Sequence, residues 1–151
     1  MRLLLDTHAM YWYIEGDPQL SATAQTLIQD ASNEVLVSPA SYWEIAIKIS
    51  IGKWQLNRPY QEFLDIGLNQ YGFQTLPILP AHTARLIGLP FYHKDPFDRL
   101  LVAQAMVERV AVISSAPQLD AYGVSRIWVA AAALRFLGSA DGKEKRPCPR
   151  P

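Results

Sequence analysis

The chain opens with MRLLLDTHAMYW, Met1 to Trp12. An apolar run of strand length, Arg2 to Leu5, is closed by the polar turn Asp6, Thr7 and His8, and a helical pattern follows through Met10, Tyr11 and Ile14 to a breaker at Gly16, Asp17 and Pro18. An acid therefore stands where the first buried element ends, with no basic residue beside it. Working outward, the same alternation recurs. LSATAQTLIQDASN reads as a second helix with Ser21 as its N-cap, and EVLVS returns to strand character. PASYWEIAIKISIG is helical from Pro39, a favoured first-turn residue, to Gly52.

After the loop KWQLNRP, a helix runs through Phe63, Leu64 and Leu68 to about Gly72, and FQTLPI is a third strand. PAHTARLIGLP is a short helix bounded by prolines. The strongest helix start lies in YHKDPFDRLLVAQAMVER, with Asp95 as N-cap and Pro96 at the first position. VAVIS and VSRIWV supply two further strands. Strands alternating with helices predict an α/β, three-layer fold with a central parallel sheet flanked by helices on both faces. One domain is expected over residues 1–129; residues 130–151 form a C-terminal extension, charged and proline-rich, with order expected to fade from about residue 139.

Composition narrows the class. Half of the 151 residues are hydrophobic and 19% are charged, so a packed core is expected and wholesale disorder is not. Fourteen basic residues balance fourteen acidic ones, so a polyanionic partner would have to be held by a local basic patch. No apolar run approaches the ~20 residues that span a bilayer, and no basic region with a small-residue cleavage pattern opens the chain. With a single cysteine, Cys148, there is no disulfide framework, and a cytoplasmic protein is expected.

Three acids stand out. Asp6 follows the first strand, Glu44 lies in the helix after the second, and Asp98 lies in the first turn of the helix before VAVIS. Each has an ordinary explanation: Asp6 as a turn or cap residue, Glu44 as the partner of Ser41 in a capping box, although Pro39 suggests that Ser38 is already the cap, and Asp98 as a complement to its helix dipole. Taken together they are harder to explain that way. In an open parallel sheet, ligands bind beyond the carboxyl ends of the strands, where strand order reverses. Carboxylates gathered there raise one another's pKa, and a divalent cation relieves the repulsion. Oxygen donors with open water positions suit Mg²⁺ or Mn²⁺ rather than Zn²⁺.

The order and context of these motifs resemble the PIN domain family, and within it the VapC toxins of toxin-antitoxin pairs. The matching stretches are LLLDTHAMYW, SPASYWEIAIKISIGKWQL, LPILPAHTARLIGLPFYHKDPFDRLLVAQA and VISSAPQLDAYGV, with HKDPFDRLLVAQA the most specific. The resemblance implies a PIN fold, a metal-dependent ribonuclease (a hydrolase using Mg²⁺ or Mn²⁺), an RNA substrate, a VapB-like antitoxin, and a homodimer or a heteromeric complex with the antitoxin. It also implies that Asp6, Glu44 and Asp98 are catalytic and that Asp6 and Asp98 hold the metal, leaving 5′-phosphate and 3′-hydroxyl products. Supporting roles fall to Thr7, Arg99, Ser114 and Asp120. The family's fourth acid is missing: where Ser or Thr, a variable residue and Asp usually follow the fourth strand, this chain has Ser114, Ser115 and Ala116, with Asp120 four residues on. An inactive module that binds antitoxin or RNA without cleaving is therefore the alternative. A phosphatase or phosphoacceptor domain also sets an Asp after its first strand, but its second Asp two residues on is absent, since position 8 is His.

Lys48, Lys53, Arg58, Lys94 and Arg99 flank the acidic stretches as phosphate contacts or plain surface charge, with pairing to a carboxylate as the other reading of Arg99, next to Asp98. Aromatics in apolar patterns are core residues first, and Trp43, beside Glu44, is the best placed to wall the site.

Overall fold

The computed structural model describes residues 1–129 and 146–147. The C-terminal extension expected from residue 130, with its loss of order from residue 139, and Cys148 fall outside the described residues, Arg146 and Pro147 excepted. Five strands form one all-parallel sheet in the order β3-β2-β1-β4-β5: β1 Arg2–Leu5, β2 Glu34–Val37, β3 Gln74–Thr75, β4 Ala111–Ile113 and β5 Arg126–Ile127. The helices are α1 Thr7–Glu15, α2 Ala22–Gln29, α3 Pro39–Ser50, α4 Tyr60–Asp65, α5 Pro80–Ile87 and α6 Pro96–Glu108, with a 3₁₀ turn at Pro117–Tyr122.

The layers follow from the two-residue period of β1. Leu3, Leu4 and Leu5 are all fully buried, but Leu3 and Leu5 join Met10, Tyr13, Ile28, Ile45 and Phe63 on one face, while Leu4 joins Leu101, Val102, Val112 and Leu119 on the other. A strand buried on both faces reads as a continuous apolar run, which is why RLLL carries no alternation. Among the described residues no helix is long and apolar enough to cross a membrane.

Three expected elements differ, the last strand being Arg126–Ile127 rather than the whole of VSRIWV. The helix through Phe63 and Leu68 is α4 followed by a π-helical segment, Ile66–Gln70, where Gly67 packs so closely that a Cβ would come within 2.9 Å of Ile14 Cδ1. The third strand shrinks from six residues to Gln74–Thr75 at the sheet edge. Leu76 still donates to the Val37 carbonyl at 2.8 Å, but Pro77 has no N–H to continue the ladder, and the Gln104 amide donates to the Leu76 and Pro77 carbonyls instead.

Candidate active site

The chain runs outward from β1 to β3, then crosses back to place β4 on the other side of β1, so strand order reverses between β1 and β4. Leu5 and Ile113 are register partners there, and the Asp6 N–H donates to the Ile113 carbonyl at 3.0 Å. Asp6 and Ser114 are thus the next residues on two adjacent strands, at the carboxyl edge where such sheets bind ligands.

Asp6 does what an acid after a strand ordinarily does: it caps α1, accepting from the Ala9 N–H at 2.7 Å. It is also buried and hydrogen-bonded to the Ser114 side chain. Burial lifts its carboxyl from 3.8 to about 7, against the lowering effect of the Ser114 and Ala9 hydrogen bonds, and Asp98 and Glu44 push it further up. Among the described residues no Lys, Arg or His forms an ion pair with Asp6.

Glu44 does not cap α3. Ser38 does, accepting from the Ala40 N–H at 3.1 Å, and the buried Ser41 hydroxyl instead accepts from Thr7 Oγ1 at 3.1 Å, tying α1 to α3. The buried Glu44 carboxylate meets Lys48 Nζ at 2.8 Å, one turn along the helix, and Lys48 also lies 4.4 Å from the centre of the Trp54 ring. Asp98 is likewise released from capping, because Asp95 Oδ1 takes both the Phe97 and Asp98 N–H groups. Its own Oδ2 lies 2.7 Å from His93 Nε2. Burial raises the Asp98 pKa, opposed by the His93 hydrogen bond, with Asp95 and Glu44 adding like-charge repulsion. Asp6, Glu44 and Asp98, from three separate elements, therefore feel one another.

His93 and Lys48 escaped sequence reading as partners of these acids. The i,i+4 spacing of Glu44 and Lys48 was a usable signal. For His93 the only hint was its place just before the Asp95–Pro96 helix start, where the chain turns back on its own first turn. His8, between the Trp12 and Trp54 rings at 5.2 and 5.1 Å, has its pKa lowered by burial first and by Lys48 second, and it also feels Glu44 and Asp98.

Two supporting candidates do something else. Arg99 neither pairs with a carboxylate nor lies on the surface: it is buried, donating to the Pro90 and Leu89 carbonyls at 2.7 and 3.2 Å and to the Tyr122 hydroxyl at 3.3 Å, and stacked over Phe91. Tyr122 in turn donates to the Pro90 carbonyl and accepts from the His93 N–H, so Arg99 shapes the loop that presents His93. Asp120 is exposed and held by both its oxygens to Arg126 at 2.7 and 2.9 Å, which lowers its pKa; it is not among the acids that act on Asp6. Ala116 caps the 3₁₀ turn without a side-chain bond, while its N–H donates to Ser114 Oγ at 3.0 Å.

The donor set fits a hard divalent cation in one respect and limits it in another. The donors are carboxylate and hydroxyl oxygens, and among the described residues the buried Asp6 has no ion-pair partner. Yet among the described residues no three of His, Cys, Asp and Glu are grouped so that together they could hold a metal ion. One or two carboxylates completed by water is how Mg²⁺ is commonly held. An open hollow of about 630 Å³ at the opposite end of the strands, lined by Arg2, Met106, Arg109 and Ser125 among others, contains no acid.

A family model described as the PIN domain matches residues 3–123. Ribonuclease VapC22 of Mycobacterium tuberculosis (strain ATCC 25618 / H37Rv) is 32% identical over 105 residues, 69% of this chain and 78% of that protein. Ribonuclease VapC16 of the same strain is 35% identical over 79 residues, 48% of this chain and 56% of its own length. Among solved structures, VapBC2 from Rickettsia felis bound to a DNA fragment from their promoter matches with a TM-score of 0.62 at 16% identity, over 85% of this chain and 100% of that one. FitAcB from Neisseria gonorrhoeae matches at 0.57 and 19% identity, over 83% and 96%. At such identities the two structures speak for the fold alone.

Proposed function

This chain belongs to the PIN domain family, among its VapC-type members, and from that membership and the meeting of its acids we propose that it is a metal-dependent endoribonuclease, the toxin of a toxin-antitoxin pair. The observation that carries the reading is the mutual influence of Asp6, Glu44 and Asp98 at the strand-order reversal, with Asp6 buried and without an ion-pair partner among the described residues.

Asp6 and Asp98 would hold Mg²⁺ or Mn²⁺. When bound, the cation supplies charge neutralisation at the phosphodiester and at the departing 3′ oxygen. Ser114 fixes the Asp6 carboxylate through its hydroxyl, and His93 fixes Asp98. Thr7 pins α1 to α3 beside Glu44. Glu44 orients the attacking water and accepts its proton, with Lys48 holding that carboxylate in place. No side-chain nucleophile is needed, and the products are a 5′-phosphate and a 3′-hydroxyl. An antitoxin that laid a basic side chain across the acids would relieve the same repulsion as the cation, so inhibition and metal loading should compete. A homodimer belongs to the same reading.

The test is cleavage of a structured RNA pool by the purified protein with Mg²⁺ or Mn²⁺. Activity is expected to vanish in EDTA and to fall by at least about 10²-fold in Asp6→Asn. Cleavage that persists in EDTA would contradict the assignment. One observation favours a second reading, a module that binds without cutting: Ala116 stands where the family's fourth acid is expected. RNA or antitoxin binding with no metal-dependent cleavage would select it.

A further inference from the structure

Each of two candidate acids is preceded by an aromatic residue: Trp43 before Glu44 on α3, and Phe97 before Asp98 on α6. Successive residues on a helix point about 100° apart, so where the acid turns inward its neighbour turns to the rim. The two rings meet there, 5.3 Å between centroids and 80° between planes. An edge-to-face pair leaves a broad π face uncovered. Phe97 is half-buried, whereas Trp43 is 63% exposed, the only tryptophan among the exposed large hydrophobic residues described. Trp54 and Trp128, by contrast, are packed against the core, and Trp12 lies against the His8 and Trp128 rings.

We infer that Trp43, braced by Phe97, is the platform on which an unpaired base of the RNA stacks beside the scissile phosphate, which makes the substrate single-stranded or looped rather than duplex. The inference rests on the nuclease reading. Three features place a base there. Trp43 and Phe97 directly precede Glu44 and Asp98 in the chain, so a nucleotide stacked on the platform would have its phosphate near those acids. The exposed Lys94, next to His93 whose ring meets Asp98, supplies positive charge for a flanking phosphate. An indole face accepts any base, because every base has a π face, but bases inside a duplex have theirs covered. Trp43 is a binding and positioning residue: its loss should weaken substrate capture more than it slows a captured substrate.

The test uses the full chain in an Asp6→Asn background, which stops cleavage, and three probes: a 5′-fluorescein 12-nucleotide RNA of mixed sequence, the same strand annealed to its complement, and an abasic version. Trp43→Ala is expected to weaken single-strand binding by roughly tenfold or more, Trp43→Tyr by under about threefold, and Trp43→Leu nearly as much as Ala. Duplex and abasic RNA should bind more weakly and be insensitive to position 43. With Asp6 restored, Trp43→Ala should raise KM while leaving kcat within about threefold. Unchanged single-strand affinity in Trp43→Ala, full rescue by Leu, or equal binding of duplex would overturn the inference. So would a change in molecular mass by light scattering without a change in RNA affinity, which would mark the face as a protein interface. If the unmutated chain cuts nothing but binding still depends on Trp43, the platform stands and the nuclease reading falls; if it cuts RNA with a KM indifferent to position 43, the reverse holds.

Discussion

Asp6 is both a helix cap and a buried acid that its surroundings would rather keep protonated, and the two roles separate by pH. Its carboxyl titrates at about 7 in the folded chain against 3.8 ordinarily, so between those values the folded state holds a proton that the unfolded state has lost. The metal-free protein is therefore stabilised by this group below about pH 4, and that contribution is lost as pH rises through 7. The span corresponds to something on the order of 4 kcal/mol. Asp98, also raised, acts in the same sense, whereas the lowered His8 opposes it below its ordinary range. Comparison with Asp6→Asn isolates the one group: urea denaturation at pH 5 and pH 8 should show a larger loss across that interval in the unmutated chain than in the variant. Equal losses would mean that Asp6 is not the strained acid. At the same scale, Ala116→Asp should raise metal-dependent cleavage, and the fold should accept it, since Ala116 is the capping position of a 3₁₀ turn with no side-chain bond, a place Asp favours. The acids were readable in the sequence because they sit at fixed offsets from strands and helix starts. Their partners were not: whether Asp98 meets His93 or Arg99 depends on how one loop folds back.

That loop is where the elements show their interdependence. The start of α6 was legible from Asp95 and Pro96, and the structure has Asp95 accepting two N–H groups there. Asp95→Ala should cost roughly 1 kcal/mol, seen as a lower thermal midpoint. It should also lower cleavage, because Asp98 would then be drawn to the freed N–H groups. Arg99 was misread as surface charge. A cation one residue from an acid looks like a neighbour in charge space, but on a helix it points elsewhere, here to carbonyls of residues 89 and 90. Arg99→Met should destabilise the chain by at least about 2 kcal/mol, because the buried Leu89 carbonyl loses its charged donor and the Pro90 loop loses its tie to α6. A loss under 0.5 kcal/mol would show that water replaces it. The third strand was overextended for a comparable reason: a β-like composition cannot reveal that Pro77 ends the ladder and that Gln104, from α6, closes it.

Over the whole molecule, the alternation of strands and helices made a parallel three-layer sheet legible, but not the order β3-β2-β1-β4-β5. That order decides the site, since it alone sets Ser114 beside Asp6 and brings α3 and α6 over the same edge. Periodicity records which face of an element is buried, not which element lies next to it. Motif order, through family resemblance, filled part of that gap. The claim on which the account turns is that Asp6 and Asp98 hold one divalent ion beside Glu44, and the most direct measurement is Mn²⁺ binding to the full chain, followed by electron paramagnetic resonance of the free ion at pH 8. One Mn²⁺ per chain is predicted, weakened by at least about tenfold in both Asp6→Asn and Asp98→Asn, unaffected by Asp120→Asn, and displaced by Mg²⁺. Mn²⁺ that fails to bind, or binds equally well after both carboxylates are removed, would contradict it.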